Sequence, residues 1–206
     1  MLKSIQFFTL AFALVMASGF RTIPETINEA ERKAAIDFMN ETKDRLIKDV
    51  QGLTDEQLNF KPTPSAWSVA ECLEHIAFSE GALFGVLQGT LKEAANPSRR
   101  SEVKMTDEQV KGMISSRERK VKTQEMFEPK NQFGSAAGSL KEFIAKRDSN
   151  IEFAKTTQED LRNHYAVMPF ATFDSYQMLF FITGHSARHT AQIEEVMANA
   201  NFPKKK

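Results

Sequence analysis

Apolar residues recur at steps of three and four along most of the chain, and Gly and Pro cluster at a few positions between these stretches. Such spacing places side chains on one face of an α-helix. In the first stretch, residues 24–50, the predicted buried stripe consists of Ala35, Phe38, Thr42, Leu46 and Val50. The pattern predicts an all-α fold, because the Gly and Pro residues only punctuate the helical segments.

The clearest helix start is at Ser68. In the sequence Ser-Val-Ala-Glu, the Ser68 hydroxyl can cap the third helical amide while Glu71 reaches back. The helix is predicted to run to about Ala95. Trp67 precedes the cap, in a position from which it would pack against Cys72, four residues into the helix. Cys72 is the single cysteine, so we interpret it as a small buried apolar residue, and no internal disulfide can form.

Three further capped segments complete the pattern. Long helices are predicted over residues 139–164 and 174–199, and a short helix begins at residues 106–109. Four long helices and an additional short one predict an antiparallel four-helix bundle. The length of 206 residues and the 41% hydrophobic content suit one domain, which we place at residues 20–206.

The beginning of the chain differs from the rest. Lys3 is followed by an apolar run from Phe7 to Ala17 and then by Ser18 and Gly19, which is typical of a secretory signal peptide. The run is shorter than the ~20 apolar residues that span a bilayer. We therefore predict a signal peptide at residues 1–19 and an exported mature domain, periplasmic or secreted, without stable membrane insertion. Cleavage after Ala17 is the alternative.

The charges are balanced. The chain has 27 Lys and Arg residues and 27 Asp and Glu residues, so its formal net charge is zero. A neutral chain lacks the electrostatic attraction on which binding to a phosphate backbone or an anionic membrane depends. Nucleic acid is therefore not expected as a partner.

Three of the four histidines form a candidate metal site. His185 and His189 lie four residues apart in the predicted last helix, so both imidazoles project from one face. His75 lies among the buried-side residues of the helix that begins at Ser68. Facing helices of a bundle build metal sites from inward-pointing side chains. These residues therefore predict a site for one divalent ion, whereas His164 is predicted to be solvated or to cap a helix end.

Three neutral imidazoles leave at least one coordination position open, as in catalytic zinc sites. Glu71, one turn before His75, is a candidate proton acceptor, and Gln192 could orient a ligand or a water molecule. Each has a structural alternative: Glu71 as the capping-box residue and Gln192 as an interhelical hydrogen-bond donor or acceptor. Arg188 is expected at the rim of the site, where it would hold an anionic group or remain solvated.

Two segments resemble the motifs of the DinB family of four-helix bundles. Trp-Ser-Val-Ala-Glu-Cys-Leu-Glu-His at residues 67–75 resembles its first motif, and Gly-His-Ser-Ala-Arg-His-Thr-Ala-Gln-Ile at residues 184–193 its last. With Asp-Leu-Arg-Asn-His at residues 160–164, the resemblance covers roughly residues 27–199. In that family three histidines hold nickel or zinc, which implies His75, His185 and His189 as the ligands.

Characterised relatives in that family include thiol-dependent transferases and isomerases. The leading hypothesis is a mononuclear metal-dependent hydrolase or transferase that acts on a small molecule. Export would separate the domain from cytoplasmic thiols, which favours hydrolysis. The alternative hypothesis is a non-catalytic scaffold in which a metal pins two helices together. A homodimer is left open.

Overall fold

The computed structural model describes residues 27–119 and 121–205, so the predicted signal peptide at residues 1–19 lies outside the described residues. The helices are α1 (Glu29–Val50), α2 (Asp55–Asn59), α3 (Val69–Thr90), α4 (Asp107–Ser115), α5 (Ala136–Thr156) and α6 (Ser175–Met197). Short 3-10 helices lie at Pro97–Glu102 and Glu125–Phe127. The predicted four long helices are present, and α2 is a second short helix that was not predicted.

Side-chain caps begin the helices. Ser68 accepts from the backbone of Glu71, and the Glu71 carboxylate accepts from the backbone N–H of Ser68, so the predicted capping box is confirmed. The same reciprocal cap, which satisfies two backbone donors, begins α1, α2 and α4. The helix that starts after Ser68 ends at Thr90, before the predicted end at about Ala95. All five residues of the predicted stripe on α1 are buried.

Contacts between helix ends give their directions. Near the end of α1, Arg45 pairs with Glu194 near the end of α6, at 2.6 Å. At the other end, the Tyr176 hydroxyl at the start of α6 donates to the carbonyl of Glu31 at the start of α1, at 2.7 Å. Helices α1 and α6 therefore run parallel.

Helices α3 and α5 are also parallel neighbours. Lys146 donates to the carbonyl of Ala77 at 3.1 Å, and two turns further along both helices the rings of Phe84 and Phe153 pack edge to face at 5.2 Å. By contrast, Thr90 at the end of α3 contacts Ser175 at the start of α6, so these two helices are antiparallel. Helices α1 and α5 are antiparallel as well, since Arg32 near the start of α1 donates to the carbonyl of Ala154 near the end of α5.

The prediction of an antiparallel bundle is therefore correct for two of the four neighbouring pairs and wrong for the other two. Short loops force consecutive helices to be antiparallel neighbours. Here residues 51–68 separate α1 from α3, and residues 91–135 separate α3 from α5. The connection of residues 91–135 is long enough for the chain to return along the bundle, so α3 and α5 can run in the same direction.

A small β-hairpin corrects the all-α prediction. Strand β1 (Tyr165–Met168) pairs antiparallel with β2 (Ala171–Asp174) immediately before α6. Helix α5 ends at Thr156, not near His164, and His164 is buried instead of solvated. Its two ring nitrogens lie 2.7 and 3.1 Å from the carbonyl oxygens of Asp160 and Glu93. The Tyr, Val, Thr and Phe residues of these strands have high β-propensity, a signal that the sequence analysis did not use.

Cys72 is fully buried in an apolar cluster that includes Leu73, Ile76 and Phe143, as predicted for a small core residue. Within the described part of the chain, none of the helices has the length and apolarity that crossing a bilayer requires.

Candidate metal centre

Three imidazole rings meet between α3 and α6. The Nε2 atom of His75 lies 3.3 Å from Nε2 of His185 and 3.2 Å from Nε2 of His189. The candidate ligand atoms of all three residues lie within 4.8 Å of one another. His75 and His189 are buried, and His185 is partly exposed. The structure thus brings together all three residues for which the sequence predicted metal binding.

The helix arrangement explains the convergence. Because α3 and α6 are antiparallel, the first third of α3, with His75, faces the middle of α6, with His185 and His189. Close packing of α4 supports this part of α6. A Cβ atom at Gly184 would lie only 3.1–3.2 Å from side-chain atoms of Ser115 and Ile114. A larger residue at Gly184 would therefore press on α4 directly beside the first histidine of the pair.

Hydrogen bonds orient two of the rings. Nδ1 of His75 donates to the carbonyl oxygen of Phe127 at 2.8 Å, and Nδ1 of His189 donates to Oε1 of Gln192 at 2.9 Å. A carbonyl oxygen can only accept, so the proton must lie on Nδ1 and the Nε2 lone pair is left for a ligand bond. Metal-binding histidines in proteins are commonly oriented in this way.

Burial also keeps the rings neutral. Desolvation lowers the pKa of His75, and it lowers the pKa of His189 to about 3. The pKa of His185 is lowered well below its ordinary value by burial and by the two neighbouring rings. A neutral imidazole is the form that binds a metal ion, so the three rings are available as ligands at neutral pH.

Trp67 belongs to the site, which the sequence analysis missed. Its ring centroid lies 4.9 Å from that of His75 and 6.1 Å from that of His189. We had predicted Trp67 to pack against Cys72, and the two residues do share one apolar cluster. His75 lies three residues after Cys72 on the same helix face, so this spacing was the signal that a side chain reaching Cys72 also reaches His75.

The other candidates lie around the cluster. The Glu71 carboxylate is engaged by the cap at Ser68 and by Lys61 at 2.7 Å, which agrees with its structural alternative. Gln192 contacts His189 directly and also accepts from Arg117 at 3.3 Å. Arg188 donates to the carbonyl of Arg119, and its positive charge contributes to the lowered pKa values of His185 and His189.

The donor set can hold one ion and leave it accessible. Within residues 27–119 and 121–205, the group of potential metal ligands consists of the three histidines, with no carboxylate or thiolate as a fourth member. Three nitrogen donors are the protein contribution that catalytic zinc sites commonly have, whereas structural zinc sites have four protein ligands.

Comparison with known proteins finds a similar structure and a similar sequence. The structure is similar to that of YfiT from Bacillus subtilis, with a TM-score of 0.59 and 17% identity over 87% of this chain and 93% of that one. YfiT is described as a probable metal-dependent hydrolase with an unusual four-helix bundle topology. The sequence is 26% identical to YuaE of Bacillus subtilis (strain 168), an uncharacterized protein, over 77% of this chain and 94% of YuaE.

The family model described as the DinB superfamily matches residues 39–193, a region that contains all three clustered histidines. This chain therefore belongs to the DinB superfamily.

Proposed function

We propose that this protein is a mononuclear metal-dependent hydrolase in which His75, His185 and His189 hold one divalent ion. The observation that carries the proposal is the convergence of three Nε2 atoms without a fourth protein donor in the described residues. The description of the similar structure, YfiT, as a probable metal-dependent hydrolase supports the same class. Zinc and nickel are the ions that we propose, since both accept imidazole ligands.

The residues around the cluster suit this role. Phe127 and Gln192 hold Nδ1 of two ligand rings, and Trp67 covers the rings from the side of α3. When bound, a divalent ion with an open position polarises a substrate oxygen and lowers the pKa of water. Hydrolysis on this basis needs no separate nucleophile and no thiol cosubstrate. For this reason we prefer hydrolysis to group transfer for an exported protein.

Elemental analysis tests the ligand assignment. The protein and the variants His75→Ala, His185→Ala and His189→Ala are loaded with zinc or nickel under matched conditions and freed of excess ion. We expect about one equivalent in the parent and a loss in each variant. His164→Gln, which changes a buried histidine outside the cluster, should retain the ion. Absence of metal from the parent, or equal retention in all three variants, would refute the metal centre.

A second measurement separates an enzyme from a scaffold. Cobalt substitution gives the site a visible spectrum, and a small anion such as azide changes that spectrum only when a coordination position is open. We expect azide to change the spectrum and the zinc-loaded protein to hydrolyse members of an ester, amide and phosphoester panel that the chelator-treated protein leaves intact. A spectrum insensitive to azide, with no hydrolysis, would favour the scaffold.

We also propose that the domain acts outside the cytoplasm. This proposal rests on residues 1–19 of the sequence, which have an apolar run followed by small residues before the predicted signal-peptide cleavage site. Expression of the full chain in a bacterial host followed by intact-mass measurement of the periplasmic fraction should give a product that begins at Phe20. An uncut chain in the cytoplasm would contradict it.

A further inference from the structure

One loop is attached to α3 at two consecutive residues. Nδ1 of His75 donates to the carbonyl of Phe127. The carboxylate of the preceding residue, Glu74, accepts hydrogen bonds from three successive backbone N–H groups of the same loop. The donors are Lys130 at 2.7 Å, Asn131 at 2.9 Å and Gln132 at 2.8 Å. Residues 127–132 are thus held by the histidine on one side and by the glutamate on the other.

The loop backbone is shaped around the carboxylate. Asn131 has a φ of 59°, in the left-handed region that Asn tolerates better than most residues. A left-handed residue among successive amides forms a concavity whose N–H groups converge on one anion. Glu74 fills this concavity and is 7% exposed, so its charge is removed from water and compensated by charge-assisted hydrogen bonds.

The two points at which the loop is attached to α3 lie close together along the chain. Only Glu128 and Pro129 separate Phe127 from Lys130, and Glu128 has extended backbone angles of −69° and 142°. The ring of Pro129 fixes its own φ and restricts the residue before it. A segment this short and stiff transmits a displacement at residues 130–132 to the Phe127 carbonyl. The Phe127 ring also packs edge to face on Phe78 of α3, at 5.6 Å.

We propose that Glu74 is a positioning residue of the metal centre: by holding residues 130–132 it places the Phe127 carbonyl that orients His75 with Nε2 toward the ion. This inference rests on the proposed metal-dependent function. Outer partners of metal-binding histidines typically contribute a factor of about 10–100 in metal affinity. If Glu74 only anchored a surface loop, its loss would lower stability and leave the ligand ring unaffected.

The test compares Glu74→Gln with Asp107→Asn in the full protein. The first variant turns part of the acceptor into an N–H₂ group that faces backbone donors, so at least one of the three bonds is lost. The second makes the same chemical change on a partly buried carboxylate at the start of α4, near Arg162 and Gln177. Zinc dissociation constants are measured by competition with a chromophoric chelator. Should Glu74→Gln fail to fold, Glu74→Asp, with a carboxylate that is one methylene shorter, takes its place.

We expect the Glu74 variant to bind zinc about 10–100-fold more weakly than the parent and Asp107→Asn to bind within about threefold of it. Long-range ¹H–¹⁵N spectra of the metal-free proteins provide the second readout. In the parent, His75 should be a single tautomer with its proton on Nδ1, and in the Glu74 variant it should become a mixture, while His189 stays unchanged.

Unchanged zinc affinity and tautomer in the Glu74 variant would overturn the inference, as would an equal loss of affinity in Asp107→Asn. A parent that bound no zinc would refute the proposed function instead. In that case the tautomer of His75 in the metal-free proteins would still decide whether Glu74 orients the ring.

Discussion

The indole ring of Trp67 lies 4.9 Å from the imidazole ring of His75, between ring centroids, and Trp67 is the only tryptophan of the chain. The intrinsic fluorescence of the protein therefore reports on the candidate metal centre. Binding of Cu²⁺ or Ni²⁺ should quench this fluorescence and saturate at one equivalent. A chelator should restore it, and the response should disappear in His185→Ala. Undiminished fluorescence at full metal occupancy would contradict the placement of Trp67.

Removal of the partner of His189 should weaken metal binding. Gln192→Ala deletes the oxygen that accepts from Nδ1 of His189 at 2.9 Å. We expect a loss of about tenfold in zinc affinity, as is typical when an outer hydrogen bond to a ligand is removed. Gln192→Glu keeps an acceptor at that position and should retain most of the affinity. Equal affinities in Gln192→Ala and the parent would show that Gln192 does not orient the ligand.

Breaking the buried ion pair between α5 and α3 should strongly lower the free energy of unfolding. Arg147 is 0% exposed and donates to both carboxylate oxygens of Glu80, at 2.6 and 2.8 Å. Arg147→Ala leaves the Glu80 charge buried and unpaired, at a cost of about 3–5 kcal/mol in the free energy of unfolding. The double variant Arg147→Met with Glu80→Leu should recover much of this loss. Urea unfolding measures both, and equal losses would contradict the argument.

Acid should weaken the contact between α4 and the start of α6. Burial raises the pKa of Asp107, but the hydrogen bond and the charge of Arg162 outweigh it, so the pKa lies below the ordinary 3.8. The unfolded chain then binds this proton first as pH falls. The contribution of Asp107 to the free energy of unfolding is therefore fully present well above pH 3.8 and is lost as the pH falls below it. The stability difference between the parent and Asp107→Asn should shrink from pH 7 to pH 3, and a constant difference would contradict it.

Cys72 should be chemically inert in the folded protein. Its side chain is 0% exposed, and burial raises the pKa of the thiol to about 12. Since the thiolate is the reactive form, a chromogenic disulfide reagent at pH 8 should label the native protein negligibly and the protein in guanidinium completely. Rapid labelling under native conditions would show that α3 opens locally around Cys72.

Much of this fold could be predicted from local patterns. The caps at Ser68 and Thr106, the buried stripe of α1 and the spacing of His185 and His189 depend on residues within one or two turns of each other. Helix starts and helix faces are set by such short-range contacts. For this reason the sequence by itself determined the four long helices and the three histidines that the structure brings together.

Tertiary structure alone decided how these elements meet. The parallel direction of α3 and α5 and the contacts of Glu74 and His75 with residues 127–132 join residues that lie far apart in the chain. Trp67 had a signal in its spacing to His75, but its contact with His189 crosses from α3 to α6. No local periodicity encodes such pairs, because the free energy that selects them comes from packing and buried hydrogen bonds between distant segments.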